Sequence, residues 1–339
     1  MENHHCGKQS FVLKHPPIIR AWASTAGKKE SEGPLGNYFD HVVTDSHLKE
    51  KTWEQAELKL QKNTFDLLLE KAGIQPSDVE AVASGDLLNQ CISSSMSLSN
   101  CNIPHLGLYG ACSTMAESLL VSSLLVGGGF TNNAVAMTSS HFASSERQFR
   151  FPLDYGGQRT PTAQWTVTGS GAVLLDSKGN GPRITACTIG TVVDKGIKDA
   201  NNMGPAMAPA ALSTIQAHLD DLKTSLTDFD HIITGDLGKA GTDALLQLGL
   251  ESGLDLSEKL IDCGMLVFDR KQQDVHAGGS GCGCSAIVLC GHFLNQLNTG
   301  KIKRILFCGT GALLSPTAVQ QGLTIPGVCH AVCIEGAKS

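Results

Sequence analysis

The chain has 339 residues, 41% of them hydrophobic, with a formal charge of −6 and a pI near 6.0. This size and composition predict a well-packed globular protein of two domains or two fused halves. No Lys/Arg cluster is interleaved with aromatic residues, so we expect no nucleic-acid partner. No apolar run reaches the length of a signal peptide or a membrane span, so we expect neither export nor a transmembrane segment.

The twelve cysteines lie mostly in apolar or glycine-rich segments that are typical of buried elements. In a chain of this size they indicate reduced thiols in a cytosol-like compartment rather than a disulfide scaffold. His4, His5 and Cys6 belong to a terminus that we expect to be loose, and Cys282 and Cys284 lack the second Cys/His pair of a zinc site. We therefore predict no metal site and no cofactor.

The clearest local signal is an amphipathic helix over residues 52–72, where apolar residues recur on one face and Gly73 follows as a stop. The next segment, SDVEAVASGDL at 77–87, predicts a short strand over 79–83 that ends at a glycine turn. The same design recurs 150 residues later, because TDFDHIITGDL at 227–237 matches it without gaps. The chain therefore contains an internal repeat.

The repeat extends beyond this segment. GACSTMAESLL at 110–120 resembles GCGCSAIVLCG at 281–291, and strands predicted at 134–140 and 304–311 follow at similar offsets. Alternating helices and strands predict mostly parallel sheets covered by helices. We place the junction near 177–181, which divides the chain into residues 1–178 and 179–339.

Residues 139–169 are a long polar segment with no clear period, which contains aromatic residues and three arginines. Segments of this length in compact domains commonly cover a binding site. We therefore expect an ordered cover over a site.

Two copies of this α/β half, with GACS at 110–113 opening a helix in the first, resemble the thiolase superfamily of thiolases, ketoacyl synthases and chalcone synthase-like enzymes. The resemblance covers nearly the whole chain and implies a five-layer αβαβα sandwich. Eight motifs in order also resemble a sporulation family within it, which belongs to the system that moves dipicolinic acid into the developing endospore. The motifs are GPLG (33–36), SGDLLNQ (84–90), GACST (110–114), ERQFRFP (146–152), VTGSGAV (167–173), MAPAA (207–211), AGGSGC (277–282) and GALLSPT (311–317).

In the condensing enzymes the cysteine is acylated with the help of histidine and asparagine partners from the second half. Cys112 is predicted at the amino end of a helix over 113–126, where unpaired backbone N–H groups lower a thiol pKa and attract anions. The resemblance places the histidine partner on or near Gly235 and Asp236, and the asparagine on Ser280, so the base is missing.

His141 and His276 lie in loops at predicted strand ends and are the alternative candidates for a base. Acyl transfer needs a base and an oxyanion donor in mutual geometry with the cysteine. We therefore expect a binding protein that uses an inherited pocket. The alternative is an acyl-transfer or condensing enzyme with Cys112 as nucleophile.

The resemblance implies dipicolinic acid as the ligand, a flat dianion at neutral pH that chelates calcium, bound with or without the metal. Helix amino ends near Cys112 and Cys282 would offer backbone donors to its carboxylates, and an arginine of the cover (Arg147, Arg150 or Arg159) would add a bidentate contact. Asp86, like Asp236, either contacts the ligand or braces a glycine turn. The candidate ligand-binding residues are Cys112, Ser113, Asp86, Asn89, His141, Arg147, Arg150, His276, Ser280 and Cys282.

The family also implies a protein made in the forespore and peripheral at the spore inner membrane. Without a membrane segment of its own, the chain would reach that membrane through other proteins of the spore dipicolinate channel. Thiolase-fold proteins dimerise through the edge strand before the nucleophile. Here that strand is residues 103–110, whose apolar alternation suits sheet pairing in a homodimer.

Overall fold

The computed structural model describes residues 4–149 and 159–337, in which helices and strands alternate along the chain. The strands are β1 (His5–Cys6), β2 (Ser10–Val12), β3 (Ile18–Gly27), β4 (His41–Val43), β5 (Val82–Gly85), β6 (His105–Leu108), β7 (Asn133–Ser140), β8 (Trp165–Thr166), β9 (Gly169–Asp176), β10 (Arg183–Thr188), β11 (His231–Thr234), β12 (Leu260–Asp262), β13 (Gly279–Ser280), β14 (Arg304–Ala312) and β15 (Gly327–Glu335). The α-helices are α1 (Lys28–Ser31), α2 (Trp53–Ala72), α3 (Ile92–Ser97), α4 (Thr114–Gly127), α5 (Phe142–Phe149), α6 (Met203–Leu222), α7 (Gly238–Glu251), α8 (Cys263–Leu266), α9 (Cys282–Val288), α10 (Leu294–Asn298) and α11 (Pro316–Gln320).

The two halves have the same strand order. The first reads β6-β5-β7-β9-β3 and the second β12-β11-β14-β15-β10, and the halves join where β3 pairs with β10. In each half the first two pairings are parallel and the next two antiparallel, so the sheets are mixed rather than mostly parallel as the sequence predicted. The amino-terminal strand β2 pairs with β10 of the second half.

The layers follow from which helices contact which strands. Helix α2 packs on the outer face of the first sheet, α6 packs on the outer face of the second, and α4 and α9 lie between the sheets. Every residue of α9 is buried, which is what a helix enclosed on all sides requires. The five-layer αβαβα sandwich of the thiolase-like fold is therefore confirmed.

The internal repeat is visible in matching elements. Helix α2 begins after Thr52, whose side chain accepts from a backbone N–H, and ends at Gly73 with φ +66°. Helix α6 lies 150 residues further on. A 3₁₀ turn follows each helix, and in each the same aspartate, Asp78 or Asp228, accepts a backbone N–H at the start of the turn. The two copies therefore share the same capping hydrogen bond as well as the same order of elements.

Glycines at the ends of the repeated strands serve close packing rather than a turn. Gly85 ends β5 and Gly235 follows β11, and neither has a positive φ. A Cβ on Gly85 would lie 2.1 Å from the carbonyl oxygen of Leu108, and one on Gly235 would lie 3.1 Å from the backbone nitrogen of Thr310. Neither glycine needs the left-handed backbone conformation that the predicted turns implied: Gly85 is the last residue of β5, and Gly235 lies in the bend that follows β11.

The expected cover over 139–169 contains regular structure. Strand β7 continues to Ser140, helix α5 follows at once, and β8 pairs with β13 of the second half. The sequence did not predict helix α5, because its eight described residues span only about two turns, too few for a helical period to stand out. Helix α5 lies between two cavities, one beside Cys112 and one lined by His141.

Candidate functional site

Cys112 lies in the connection from β6 to α4. A single 3₁₀ turn, Ala111–Ser113, precedes the helix, and Ala111 adopts the left-handed conformation with φ +53°. The hydroxyl of Ser113 donates to the carbonyl of Gly110 at 2.6 Å, and that of Thr114 donates to Ala111 at 2.6 Å. These bonds hold the turn so that Cys112, 7% exposed, lies at the amino end of α4.

The group that faces this cysteine is Asp236, which follows β11 in the second half. Its carboxylate lies close enough to the thiol of Cys112 for its charge to raise the pKa of that thiol. The same carboxylate accepts from the hydroxyls of Thr310 at 2.9 Å and Ser280 at 3.2 Å, and from the backbone N–H of Gly281 at 2.8 Å. An acidic group with three hydrogen-bond donors thus lies at the position where the resemblance placed a histidine.

The charges of this pair keep the proton on sulfur. Burial raises the pKa of Asp236 to about 6, because its hydrogen bonds offset desolvation only in part. Burial raises the pKa of the Cys112 thiol well above its ordinary value, and the negative charge of Asp236 raises it further. The backbone N–H of Gly281 lowers this pKa, but burial and the charge of Asp236 outweigh it, so the nucleophilic thiolate is disfavoured at neutral pH.

Several donors at the amino end of α9 are bonded within the chain. The backbone N–H of Gly281 donates to Asp236, that of Gly283 donates to the hydroxyl of Ser140, and the fully buried thiol of Cys282 donates to the carbonyl of Ser139. These three groups are therefore not free to donate to a ligand, which differs from the expectation for this helix end. Asp236 occupies it as an internal anion.

A cavity of about 240 Å³ opens beside Cys112. Its described wall is mainly apolar, with hydroxyl groups and one carboxylate. The lining residues are Leu87, Tyr109, Ala111, Cys112, Ser145, Glu146, Phe149, Thr166, Met203, Ser280, Ala312, Leu313, Leu314 and Ser315. Apolar walls with a few polar groups suit a flat organic ligand.

Of the sequence-predicted residues, the structure brings four together. Cys112 and Ser280 line the cavity, Ser113 lies beneath it, and Cys282 packs against Cys112. Asn89 lies at the rim, where its side chain accepts from the hydroxyl of Tyr109 at 3.3 Å. These five come from elements of both halves.

Asp86 has a structural setting. Its carboxylate accepts from the backbone N–H and the hydroxyl of Ser94 and from the backbone N–H of Leu88, which fixes the start of α3. Burial raises its pKa. Of the two roles left open for Asp86, the hydrogen bonds support bracing.

The histidines and arginines lie elsewhere. His141 is buried, donates through Nε2 to the carbonyl of Ser46, and lines a second cavity. His276 pairs with the exposed Asp274 at 3.0 Å, and Arg147, 61% exposed, lies 3.5 Å from Glu54.

Arg159 pairs with Asp274 at 3.0 Å. Arg150 lies outside the described residues. None of the described arginines of the expected cover reaches the wall of the Cys112 cavity.

Sequence reasoning missed the contribution of α5 and of the segment after β14. Ser145, Glu146 and Phe149 line the cavity from α5, and the segment 312–315 lines it from the second half. The sequence did contain a signal for the segment 312–315. Strand β14 is the repeat of β7, and the segments that follow these two strands line the same cavity. Helix α5 has Phe142 and Phe149 seven residues apart, but its eight described residues are too few for this spacing to identify the face that lines the cavity.

The described parts of the chain contain neither a cluster of metal-ligating side chains nor a helix that could span a membrane. Within residues 4–149 and 159–337, no three His, Cys, Asp or Glu side chains converge to hold a metal ion. None of the helices in those two stretches is long and apolar enough to cross a bilayer.

Comparison with solved structures defines the class of protein. The fold matches 3-oxoacyl-[acyl-carrier-protein] synthase III from Aquifex aeolicus VF5 with a TM-score of 0.58 and 11% identity, covering 94% of this chain and 99% of that chain. It also matches cerulenin-bound OleA from Xanthomonas campestris with a TM-score of 0.61 and 14% identity, covering 96% and 100%. The protein has the thiolase-like fold of the ketosynthase III enzymes.

Sequence comparison gives the family. Residues 7–335 match stage V sporulation protein AD (SpoVAD), and the chain is 45% identical over 331 residues to the stage V sporulation protein AD of Bacillus subtilis (strain 168), covering 98% of each chain. The chain belongs to the SpoVAD family of sporulation proteins.

Proposed function

We propose that this protein is a non-catalytic receptor that binds dipicolinic acid, pyridine-2,6-dicarboxylate, in the Cys112 cavity for its uptake into the developing spore. The observation that carries the non-catalytic part is the carboxylate of Asp236 beside Cys112, whose charge raises the pKa of the thiol. A carboxylate in the position of the general base leaves the sulfur protonated, so acyl transfer lacks its nucleophile.

The lining of the cavity supports a flat aromatic ligand. Leu87, Phe149 and Leu314 provide apolar surface for a ring. Hydroxyl groups supply neutral hydrogen-bond donors for carboxylates, and the hydroxyl of Ser145 is buried with no protein partner. A ligand carboxylate would satisfy it.

The charge of the described wall of the Cys112 cavity affects whether dipicolinate binds as a free dianion or as a calcium chelate. Glu146 is its charged side chain, and the described wall includes no Lys, Arg or His. A calcium chelate of dipicolinate carries no net charge, whereas the free dianion carries two negative charges. The proposal therefore includes binding with or without calcium.

Titration calorimetry of the full chain tests the proposal. We expect saturable binding of dipicolinate, measured both with calcium and with a chelator, and much weaker binding of benzoate, which has the ring but one carboxylate. Equal affinity for the two acids, or no heat of binding, would reject the receptor.

The alternative is an acyl-transfer or condensing enzyme, and it is favoured by the position of Cys112 at a helix start in a ketosynthase-like fold. Incubation with acyl-CoA esters followed by intact mass measurement separates the two functions. The enzyme would acquire an acyl group that is lost in Cys112→Ala, and the receptor would not.

The proposal extends to location and partners. A receptor for uptake has to deliver its ligand to a membrane channel, so we propose a peripheral position at the spore inner membrane, held by other proteins of the dipicolinate channel. Fractionation of forespores with and without those membrane proteins tests this. The protein should leave the membrane fraction when they are absent.

A further inference from the structure

A second cavity, of about 630 Å³, lies next to the first but shares none of its described wall. Phe142 and Ala143 at the start of α5 line it, whereas later residues of α5 line the Cys112 cavity. Lys28, Lys29 and Trp165 are also part of its wall. Residues of one short helix, α5, therefore line two separate cavities.

Two cations lie over one indole ring at this cavity. The ammonium nitrogen of Lys29 is 3.7 Å from the ring centroid of Trp165, and the guanidinium carbon of Arg159 is 4.6 Å from it. Phe142 stacks on the same indole with centroids 3.8 Å apart and planes 6° from parallel. The aromatic stack holds both cations in place.

The two cations also share one hydrogen-bond acceptor. Lys29 Nζ and Arg159 Nη2 donate to the backbone carbonyl of Asp274 at 3.1 Å and 3.0 Å. The positive charges therefore lie within two hydrogen-bond lengths of each other, and they repel. Burial and the charge of Arg159 lower the pKa of Lys29.

The carboxylates near Lys29 and Arg159 neutralise these two cations only in part. The carboxylate of Asp274 contacts Arg159 Nη2 at 3.0 Å but is 76% exposed and also pairs with His276. Nη1 of Arg159 is buried without a hydrogen-bond partner. Glu30 is buried and binds the backbone N–H of Thr168. Nη1 of Arg159 thus lacks a hydrogen-bond partner. The ammonium of Lys29 is influenced by the charges of Asp274, Glu30 and Glu32, but within the described residues it forms no ion pair with a carboxylate.

We propose that Lys29 and Arg159 form an oxyanion-binding site over Trp165 at the edge of the second cavity, whose wall includes Lys29 and Trp165 but not Arg159. This site takes a phosphate or carboxylate group in place of the carboxylate of Asp274. A guanidinium offers two parallel N–H donors that fit such a group, and the adjacent ammonium adds a third. The bound anion removes the repulsion between the two cations. The volume of the cavity leaves room for the rest of a larger ligand.

Inorganic phosphate and acetate are the probes, titrated into the full chain by calorimetry at constant ionic strength. We expect saturable binding of at least one of them, weakened about tenfold or more by Lys29→Met and by Arg159→Gln because each removes a charge-assisted hydrogen bond. Phosphate alone would identify a phosphoryl ligand, and acetate at equal strength a carboxylate. Thermal unfolding shows whether each variant retains the fold.

Two further variants make the test specific. Lys28→Met removes the same charge from the exposed neighbour in the same wall and should change affinity by less than about twofold. Asp274→Asn removes the competing carboxylate and should strengthen binding severalfold. No saturable binding of either anion up to about 20 mM would overturn the proposal. So would an equal loss in Lys28→Met, or weaker binding in Asp274→Asn.

Discussion

Cys112 and Asp236 lie beside each other across the two halves of an internal repeat, and the charge of Asp236 raises the pKa of the Cys112 thiol. Asp236 is the repeat counterpart of Asp86, since each follows a matching strand, β11 or β5, and is buried. Asp86 fixes the start of α3, whereas Asp236 accepts a hydrogen bond at the amino end of α9 and lies beside the thiol. The equivalent aspartates thus have different roles in the two copies, and Asp236 occupies the position at which the resemblance placed the histidine of a condensing enzyme.

Removing the charge of Asp236 should make Cys112 more reactive. In Asp236→Asn the amide oxygen can still accept from Gly281, but the negative charge that raises the pKa of the thiol is gone. We expect alkylation of Cys112 by iodoacetamide at pH 7 to accelerate at least about threefold. Peptide mass mapping follows this cysteine among the twelve. An unchanged rate would show that burial alone controls the thiol.

Filling the cavity should harm dipicolinate binding more than removing the sulfur. Cys112→Ala keeps the helix amino end and should cost on the order of 1 kcal/mol of binding free energy from lost contacts. Cys112→Trp places a large ring in the ligand's volume and should abolish binding. Calorimetry on both variants checks this, with thermal unfolding as the control for folding. A larger loss in Cys112→Ala than in Cys112→Trp contradicts the prediction.

Ser145 should contribute to binding but not to the stability of the free protein. Its hydroxyl is buried at the cavity with no protein partner, so Ser145→Ala removes an unsatisfied group and should leave the free energy of unfolding unchanged or slightly higher. Dipicolinate binding should weaken by about 0.5–1.5 kcal/mol if a ligand carboxylate accepts from it. Unfolding and calorimetry measure the two effects. An unchanged affinity of Ser145→Ala for dipicolinate would show that neither ligand carboxylate accepts a hydrogen bond from Ser145.

Buried carboxylates should make the protein less stable as pH rises. Burial and the nearby Asp86 raise the pKa of Glu57 from 4.5 to about 8, and its carboxyl is bonded to the hydroxyls of Ser139 and Ser144. The folded state then binds more protons than the unfolded state between these values. The contribution of Glu57 is fully present below pH 4.5 and is lost towards pH 8, by up to about 1.4 kcal/mol per pH unit.

Glu57→Gln isolates this contribution, because the amide stays neutral and keeps the shape of the side chain. Chemical unfolding from pH 5 to about 8.5 should show a shallower decline for the variant than for the wild type. A decline remains, since burial also raises the pKa of Glu30 and Asp262 to about 7. Parallel curves would mean that Glu57 does not titrate in this range.

The homodimer expected from the resemblance depends on β6, the outer strand of the first half. Leu106 on this strand is 47% exposed. Leu106→Arg should convert a dimer to monomers by placing like charges opposite each other across the paired strands. Light scattering after size exclusion measures the mass. Val192→Arg, at a 61% exposed position of the second half, is the control and should leave the dimer intact.

The sequence by itself determined the elements and their repetition. The apolar period and Gly73 predicted α2 almost to the residue, and the matching segments 77–87 and 227–237 lie in equivalent strands of two similar sheets. These features depend on local periodicity and capping, which a short window of residues contains. The cysteine at the start of α4 was predicted for the same reason.

Only the tertiary structure decided which side chains meet. Asp236 faces Cys112, His141 faces a different cavity, and Ser145 approaches from a helix whose eight described residues are too few for its period to be recognised. Each contact joins segments far apart in sequence, and its direction is set by how two sheets pack around α4 and α9. Side chains at strand ends and in loops have no neighbour in sequence that constrains where they point, so packing alone places them.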